Sequence, residues 1–323
     1  MKRPAEWAFP ADLQPDPARQ AFDLDAAIES VVGLRTEIPE DAFTASVLGT
    51  ERSGSGVVIR DGLVLTIGYL VTEARSVWLS TNDGRVLPGH VLGYDQASGF
   101  GLVQALGRLN LPPMPLGGLA GVAPGDPVVV IGQGGRAHAL QAKVLARREF
   151  AGYWEYVLDE ALFTAPAHPQ WGGTAMVDAT GRLLAIGSLM IEERVGRKRV
   201  QGNMGVPIDL LAPVLDDLLA YGRSRATPRP WLGLYVGETG DGLVVGGVAK
   251  GGPADAAGLR EGDRLLDVAG RSADSLASFF RSVWSLGPAG VEVPLTIGRR
   301  DGQLRTVLRS IDRNDMLKKP SLH

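Results

Sequence analysis

Apolar positions in this chain fall mostly in short runs broken by turn residues, the pattern of many short strands rather than of long helices. Val57–Val58–Ile59 follows Gly54–Ser55–Gly56, Asp61–Gly62 supplies a turn, and Leu63–Val64–Leu65–Thr66 resumes, which predicts a β-hairpin. Ser76–Thr81 before the turn Asp83–Gly84, Val128–Ile131, Leu140–Leu145, and Leu183–Ile186 after Thr180–Gly181 repeat the theme, so an all-β barrel or sandwich is expected. Helical periodicity is confined to three places. DAAIESVV, from residue 25, is a short helix pattern. Asp209–Tyr221 reads as a helix with Asp209 as its N-cap, Pro213 in the first turn and Gly222 as its stop, and Leu211, Val214, Leu215, Leu218 and Leu219 form its apolar face. Asp274–Leu286 carries Leu276, Phe279, Phe280, Val283 and Leu286 at helical spacing, and beyond it Val291, Val293, Leu295 and Ile297 alternate as in a half-buried strand.

These signals divide the chain. Residues 1–24 are proline-rich, with Trp7, Phe9 and Phe22 scattered among polar residues, and read either as a frayed terminus or as an arm that docks its aromatics on a neighbouring copy. Residues 25–222 form the β-rich domain and end in the Asp209 helix. GRSRATPRP, residues 222–230, reads as a linker, so 223–230 joins the first domain to a compact block at 231–311, and 312–323 is a loose polar tail.

Composition narrows the function. The chain has 323 residues, and 33 basic against 36 acidic residues leave a net charge of −3, which argues against a nucleic-acid partner. Gly at 43 and Pro at 21 disfavour a mainly helical fold. The absence of Cys removes disulfides, thiolate metal sites and a cysteine nucleophile. The four histidines, His90, His138, His168 and His323, are not spaced as metal ligands. Gly132–Gln133–Gly134–Gly135–Arg136–Ala137 follows a strand and mimics a dinucleotide fingerprint, but ALQAKVLARREF after it reads as another strand, so no cofactor is expected. The basic run Arg194–Arg199 is expected to be a solvated face. No signal-peptide pattern and no membrane-length apolar run is present, and a cytoplasmic location without a membrane span is the expectation.

Six stretches carry a resemblance: GSGVVIRDGLVLT (54–66), LPPMPLG (111–117), PGDPVVVIGQ (124–133), GRLLAIGS (181–188), MGVPIDLLAPVLDDLL (204–219) and WLGL (231–234). With GGPADAAGLREGDRLLDVAG (251–270), a PDZ signature, their order resembles that of the HtrA/Deg family over about residues 23–311. The resemblance implies a mainly β protein, a trypsin-like double β-barrel followed by a C-terminal PDZ domain of α+β type.

It also implies a catalytic Ser, His and Asp, and the residues at the matching positions differ. Tyr69 stands at the His position, Gly99 at the Asp position and Trp171, before Gly172–Gly173, at the Ser position. Loss of either the nucleophile or the base costs on the order of 10⁶ in turnover. The loop before Trp171 is also a residue short, which puts the oxyanion hole in question. The expectation is therefore a pseudoprotease, a non-enzymatic and chaperone-like scaffold or regulatory subunit that binds protein C-termini or unfolded polypeptide. It is expected to be a homotrimer, as the family usually is, or a mixed oligomer with an active paralogue. The alternative is a hydrolase of unfolded protein that uses noncanonical residues, with His168 as base and Thr174 or Thr164 as nucleophile, although a solvent-facing loop histidine is the commoner case. For the PDZ groove the resemblance places Leu232, Gly233 and Leu234 in the carboxylate-binding loop and Leu234, Tyr235 and Val236 on the strand that pairs with the ligand. Leu276, Phe279, Phe280 and Val283 on the helix are candidate pocket residues, or else core.

Overall fold

The computed structural model describes residues 7–196, 198–300 and 302–318. Residues 1–6 of the arm, Arg197 of the basic run, and residues 319–323 of the tail, including His323, lie outside them. The described residues separate into two compact units, one within 7–148 and 160–224, the other within 149–159 and 225–318.

The first unit holds two closed six-stranded barrels. One is built from β1 (Val31–Glu37), β2 (Glu51–Arg60), β3 (Leu63–Ile67), β4 (Ser76–Ser80), β5 (Val86–Tyr94) and β6 (Phe100–Ala105), in the order β1-β2-β3-β6-β5-β4. The expected hairpin is β2–β3, where Val57 pairs with Leu65 and Val58 with Val64. The other barrel uses β7 (Pro127–Ile131), β8 (Ala139–Gly152), β9 (Tyr156–Ala165), β10 (Ala175–Val177), β11 (Leu183–Val195) and β12 (Lys198–Pro207), in the order β10-β11-β12-β9-β8-β7. Its core is filled by Val128, Val130, Leu140, Leu162, Met176 and Leu184. The segment after Gly132–Ala137 is strand β8, not a helix, so the dinucleotide fingerprint has no structural counterpart there.

Two helices depart from the sequence pattern. Helix α1 (Leu24–Glu29) is capped by Asp23, and Val31 and Val32 leave it for β1, where pairing with Val57 and Gly56 outweighs one more helical turn. A four-residue helix follows, α2 (Ala45–Leu48). Helix α3 (Ala212–Tyr221) starts after a 3-10 turn at Ile208–Leu210, so Asp209 does not cap it; the Asp209 carboxylate instead accepts from the Leu119 amide at 2.9 Å. Gly222 does end α3 in the left-handed conformation, Leu215 and Leu218 are buried, and Leu219 is exposed.

The arm's aromatics pack on their own chain. Trp7 stacks on His138 with ring centroids 4.4 Å apart, Phe9 packs against the second barrel's core, and the Phe22 ring lies against Gly181.

The second unit is a sheet of β13 (Leu234–Thr239), β14 (Gly242–Val248), β15 (Arg264–Val268), β16 (Arg271–Ser272), β17 (Glu292–Arg299) and β18 (Gly302–Arg309), in the order β13-β14-β15-β17-β18 with β16 beside β15. Helices α4 (Pro253–Ala256) and α5 (Leu276–Trp284) belong to it. Ser275 and Ser278 close a capping box at the start of α5, satisfying two otherwise orphaned amides. The tip of the β8–β9 hairpin, residues 149–159, is part of this unit, and Val157 lies in its core. The sequence drew a single boundary at 223–230 and missed this return. Nor is the described tail without structure: Arg313–Met316 form a 3-10 turn capped by Asp312. Among the described residues no helix is long and apolar enough to cross a membrane.

Candidate functional site

Tyr69 sits in the 3-10 turn Gly68–Leu70 that ends β3, and Trp171 in the loop that leads to β10. Both line a cavity of about 280 Å³ together with Ser53, Gly54, Gln133 and Gln170. The Tyr69 hydroxyl donates to the carbonyl of Ser188 at 2.8 Å, and the Trp171 side chain hydrogen-bonds to Tyr69. Burial pushes the phenol's pKa well up, against a smaller downward pull from Trp171, so Tyr69 is a neutral hydroxyl. Gly99 joins the group through its backbone, its carbonyl accepting from the Gly68 amide at 2.7 Å. Its φ of +85° suits glycine and would strain a carboxylate-bearing residue. The three positions singled out in the sequence therefore converge. Gly173 is required as glycine, because its φ is +79° and a Cβ there would collide with the Ser55 carbonyl.

Of the alternative base and nucleophiles, His168 and Thr174 are engaged by backbone groups. His168 is buried, not solvent-facing as expected, because Trp7 and Phe9 of the arm pack edge-on against its ring. Its Nδ1 accepts from the Gln170 amide at 3.1 Å and its Nε2 faces the His138 carbonyl at 2.9 Å, a pairing that a neutral ring protonated on Nε2 satisfies. Burial lowers its pKa to about 4. The Thr174 hydroxyl donates to the Trp171 carbonyl at 3.0 Å, while the Thr164 hydroxyl is buried without a hydrogen-bond partner. In the same loop the Gln170 amide is held by His168 and the Gly173 amide by the Gly187 carbonyl. Those two donors do not point into the cavity.

The second unit holds a different site. The amides of Leu232, Gly233 and Leu234 converge, Gly233 having the φ of +77° that lets the backbone turn there. A carboxylate sits among them. Glu155 Oε1 accepts from Leu232 at 3.1 Å, Gly233 at 2.7 Å and Leu234 at 2.9 Å, and Oε2 accepts from Leu232 at 3.0 Å. Glu155 is the last residue of a three-residue turn, 153–155, between β8 and β9. Such turns place their last residue in the left-handed region, where glycine is the default; Glu155 has φ of +61°. The strain of roughly 1 kcal/mol is offset by the hydrogen bonds its carboxylate makes. Burial is the largest influence on this carboxyl and pushes its pKa up to about 7, while the amides of Leu234, Leu232 and Gly233 and the charge of Arg313 pull the other way.

The edge of β13 is also taken, since the Val236 amide donates to the Tyr153 carbonyl at 2.9 Å. Of the residues expected to line a groove, Leu232, Leu234, Val236, Leu276, Phe279, Phe280 and Val283 are all buried in the unit's core, and Tyr235 is half-buried against Tyr153. The candidate pocket side chains of α5 thus fill the core. Glu155 was not found from the sequence, because it lies 77 residues from Leu232 and no local motif marks it.

Residues 54–186 match the description "Trypsin-like peptidase domain" and residues 230–308 match "PDZ domain". The chain is similar to serine protease PepD of Mycobacterium tuberculosis, with 28% identity covering 87% of this chain and 63% of that protein. It is also similar to a probable periplasmic serine endoprotease DegP-like of Halomonas elongata, with 26% identity covering 79% of this chain and 55% of that protein. Serine endoprotease DegS of Escherichia coli is 24% identical, over 78% of this chain and 74% of its own length. The chain thus spans just over half to three-quarters of the length of these relatives. A solved structure described as HtrA-type protease AlgW with decapeptide superposes at a TM-score of 0.52 and 21% identity, covering 94% of this chain and 98% of that chain, which shows the fold.

Fold and cleft together define a trypsin-like peptidase domain joined to a PDZ domain. In both domains and in their order the chain is similar to the HtrA/Deg proteases. These findings correct the expectation of a non-enzyme, for the relatives are named serine proteases and endoproteases. Residue types at three positions were a narrow basis for that expectation, since binding and oxyanion donors alone retain roughly 10³–10⁴-fold of catalysis over water in depleted triads.

Proposed function

We propose that this chain binds polypeptide, taking the free carboxylate of a protein C-terminus at the amides of Leu232, Gly233 and Leu234. One observation carries the reading: these three amides already hold a carboxylate, that of Glu155. The edge of β13, where the Val236 amide donates to the Tyr153 carbonyl, supports the same reading, since a strand-like backbone is what partners it. Binding of a labelled peptide with a free apolar C-terminus, compared with its C-terminal amide and with a Gly233→Pro variant, tests it. Preference for the free acid, lost in the variant, is expected; equal binding of acid and amide removes the reading.

A second reading, hydrolysis of unfolded protein, is favoured by the protease names of the relatives. Here Tyr69, Gly99 and Trp171 are taken to occupy the family's catalytic positions, so the chemistry would have to run through other groups, with His168 and Thr174 released from their backbone partners. Casein turnover by the wild type that vanishes in His168→Ala or Thr174→Ala supports it, and no turnover by the wild type removes it.

A further inference from the structure

The peptide site of the second unit is filled by the chain itself. Glu155 takes the place of a terminal carboxylate and Tyr153 the place of a ligand backbone two residues away, on Val236. Both ends of this segment are fastened: Arg281 of α5 forms ion pairs with Glu149 on one arm of the hairpin and Asp159 on the other. The turn carries glutamate where its backbone calls for glycine, so local geometry does not explain the residue, whereas the three converging amides do. Among the described residues, the partners of the deeply buried Glu155 carboxylate are those amides, with Arg313 nearby.

We propose that the turn Tyr153–Trp154–Glu155 is an internal ligand mimic, and that a polypeptide C-terminus binds this chain only by displacing it. The proposal rests on the peptide-binding reading above and adds a competitor to it. It assigns Glu155 a regulatory role: whatever loosens the hairpin opens the site, and the affinity measured for any free ligand is the intrinsic affinity reduced by the fraction of molecules whose site is vacant. The occupant that competes is a free carboxylate on an extended chain end, because the displaced groups are a carboxylate and a strand-type carbonyl.

The test uses the full chain and a fluorescent decapeptide ending in Val with a free carboxylate, with its C-terminal amide as control. Glu155→Gly removes the carboxylate and fits the left-handed backbone, so the fold is retained; Glu155→Gln keeps an acceptor of similar size. Tenfold or tighter binding of the free-acid peptide by Glu155→Gly than by the wild type, with an intermediate value for Glu155→Gln and no gain for the amide, is expected. Hydrogen exchange at the amides of Leu232, Gly233 and Leu234 should accelerate in unliganded Glu155→Gly and slow again when the peptide is added. Equal free-acid binding by wild type and Glu155→Gly overturns the competitor and leaves the peptide-binding reading standing. Failure of Glu155→Gly to bind the peptide, with its three amides exchanging freely, overturns both.

Discussion

The hydroxyl of Tyr69 donates to the backbone carbonyl of Ser188 at 2.8 Å, joining the turn after β3 in the first barrel to β11 in the second. The same oxygen is approached by the side chain of Trp171, so one phenol connects both barrels and the loop before β10. Two aromatics of this chain, Tyr69 and Trp171, are thus held together by a hydrogen bond where the barrels meet.

Tyr69→Phe removes the shared oxygen and leaves the Ser188 carbonyl and the Trp171 side chain each short of a partner. A loss of about 1–3 kcal/mol in unfolding free energy is expected from stranding buried polar groups. Denaturant titration of the variant checks this. An unchanged midpoint would show that solvent in the cavity replaces the bond.

The first unit should weaken as pH falls through the range set by His168. The ordinary value of 6.5 applies to the unfolded chain, and burial lowers the folded value to about 4. Above 6.5 the ring is neutral in both states and the full stability is present. Between 6.5 and 4 the unfolded chain takes up a proton that the folded chain refuses, so stability drops, by roughly 3 kcal/mol across the window. His168→Gln should flatten that part of the profile. Melting curves of both proteins from pH 4 to 8 give the difference.

Glu155 works with the opposite sign. Its value rises from 4.5 to about 7 on burial, so below 4.5 the group is protonated in docked and released states alike and docking has its full strength. As pH climbs to 7 the released carboxyl ionises while the docked one resists, and docking weakens to a plateau above 7. Arg313 and Tyr235 face the group, and burial raises the Tyr235 phenol, so that ring stays neutral across this window. Exchange of the Leu232, Gly233 and Leu234 amides, corrected for intrinsic rates, is therefore expected to show more opening at pH 8 than at pH 5.5.

Arg281→Glu reverses the charge facing Glu149 and Asp159. These ion pairs are partly exposed and each contributes at most about 1 kcal/mol to the fold, so the melting temperature should change little. The hairpin arms, however, lose their fastening, and the wild-type response to the free-acid decapeptide should rise several-fold in the variant. The same shift is expected on raising salt with the wild type, because exposed pairs are screened.

Much of the architecture was legible in the sequence for a physical reason: alternation and turn dipeptides such as Asp61–Gly62 act locally, and β2–β3 follows from them directly. The convergence of Tyr69, Gly99 and Trp171 was legible only through resemblance, since the three are joined by barrel closure and not by spacing. Asp209 shows where local rules fail. A good N-cap residue at the right offset is diverted to the Leu119 amide, 90 positions away, once tertiary structure offers it. Glu155 is the larger miss. Nothing near GYWEY signals a ligand, because its partners are set by a return of the chain after α3.

That return bears on how such a protein is dissected in the laboratory. A fragment begun at residue 225 would carry the three amides but not residues 149–159. It would present to any screening library an unguarded anion cradle that the intact chain keeps to itself, and the hits it gathered would describe an excised module's appetite and not the whole molecule's.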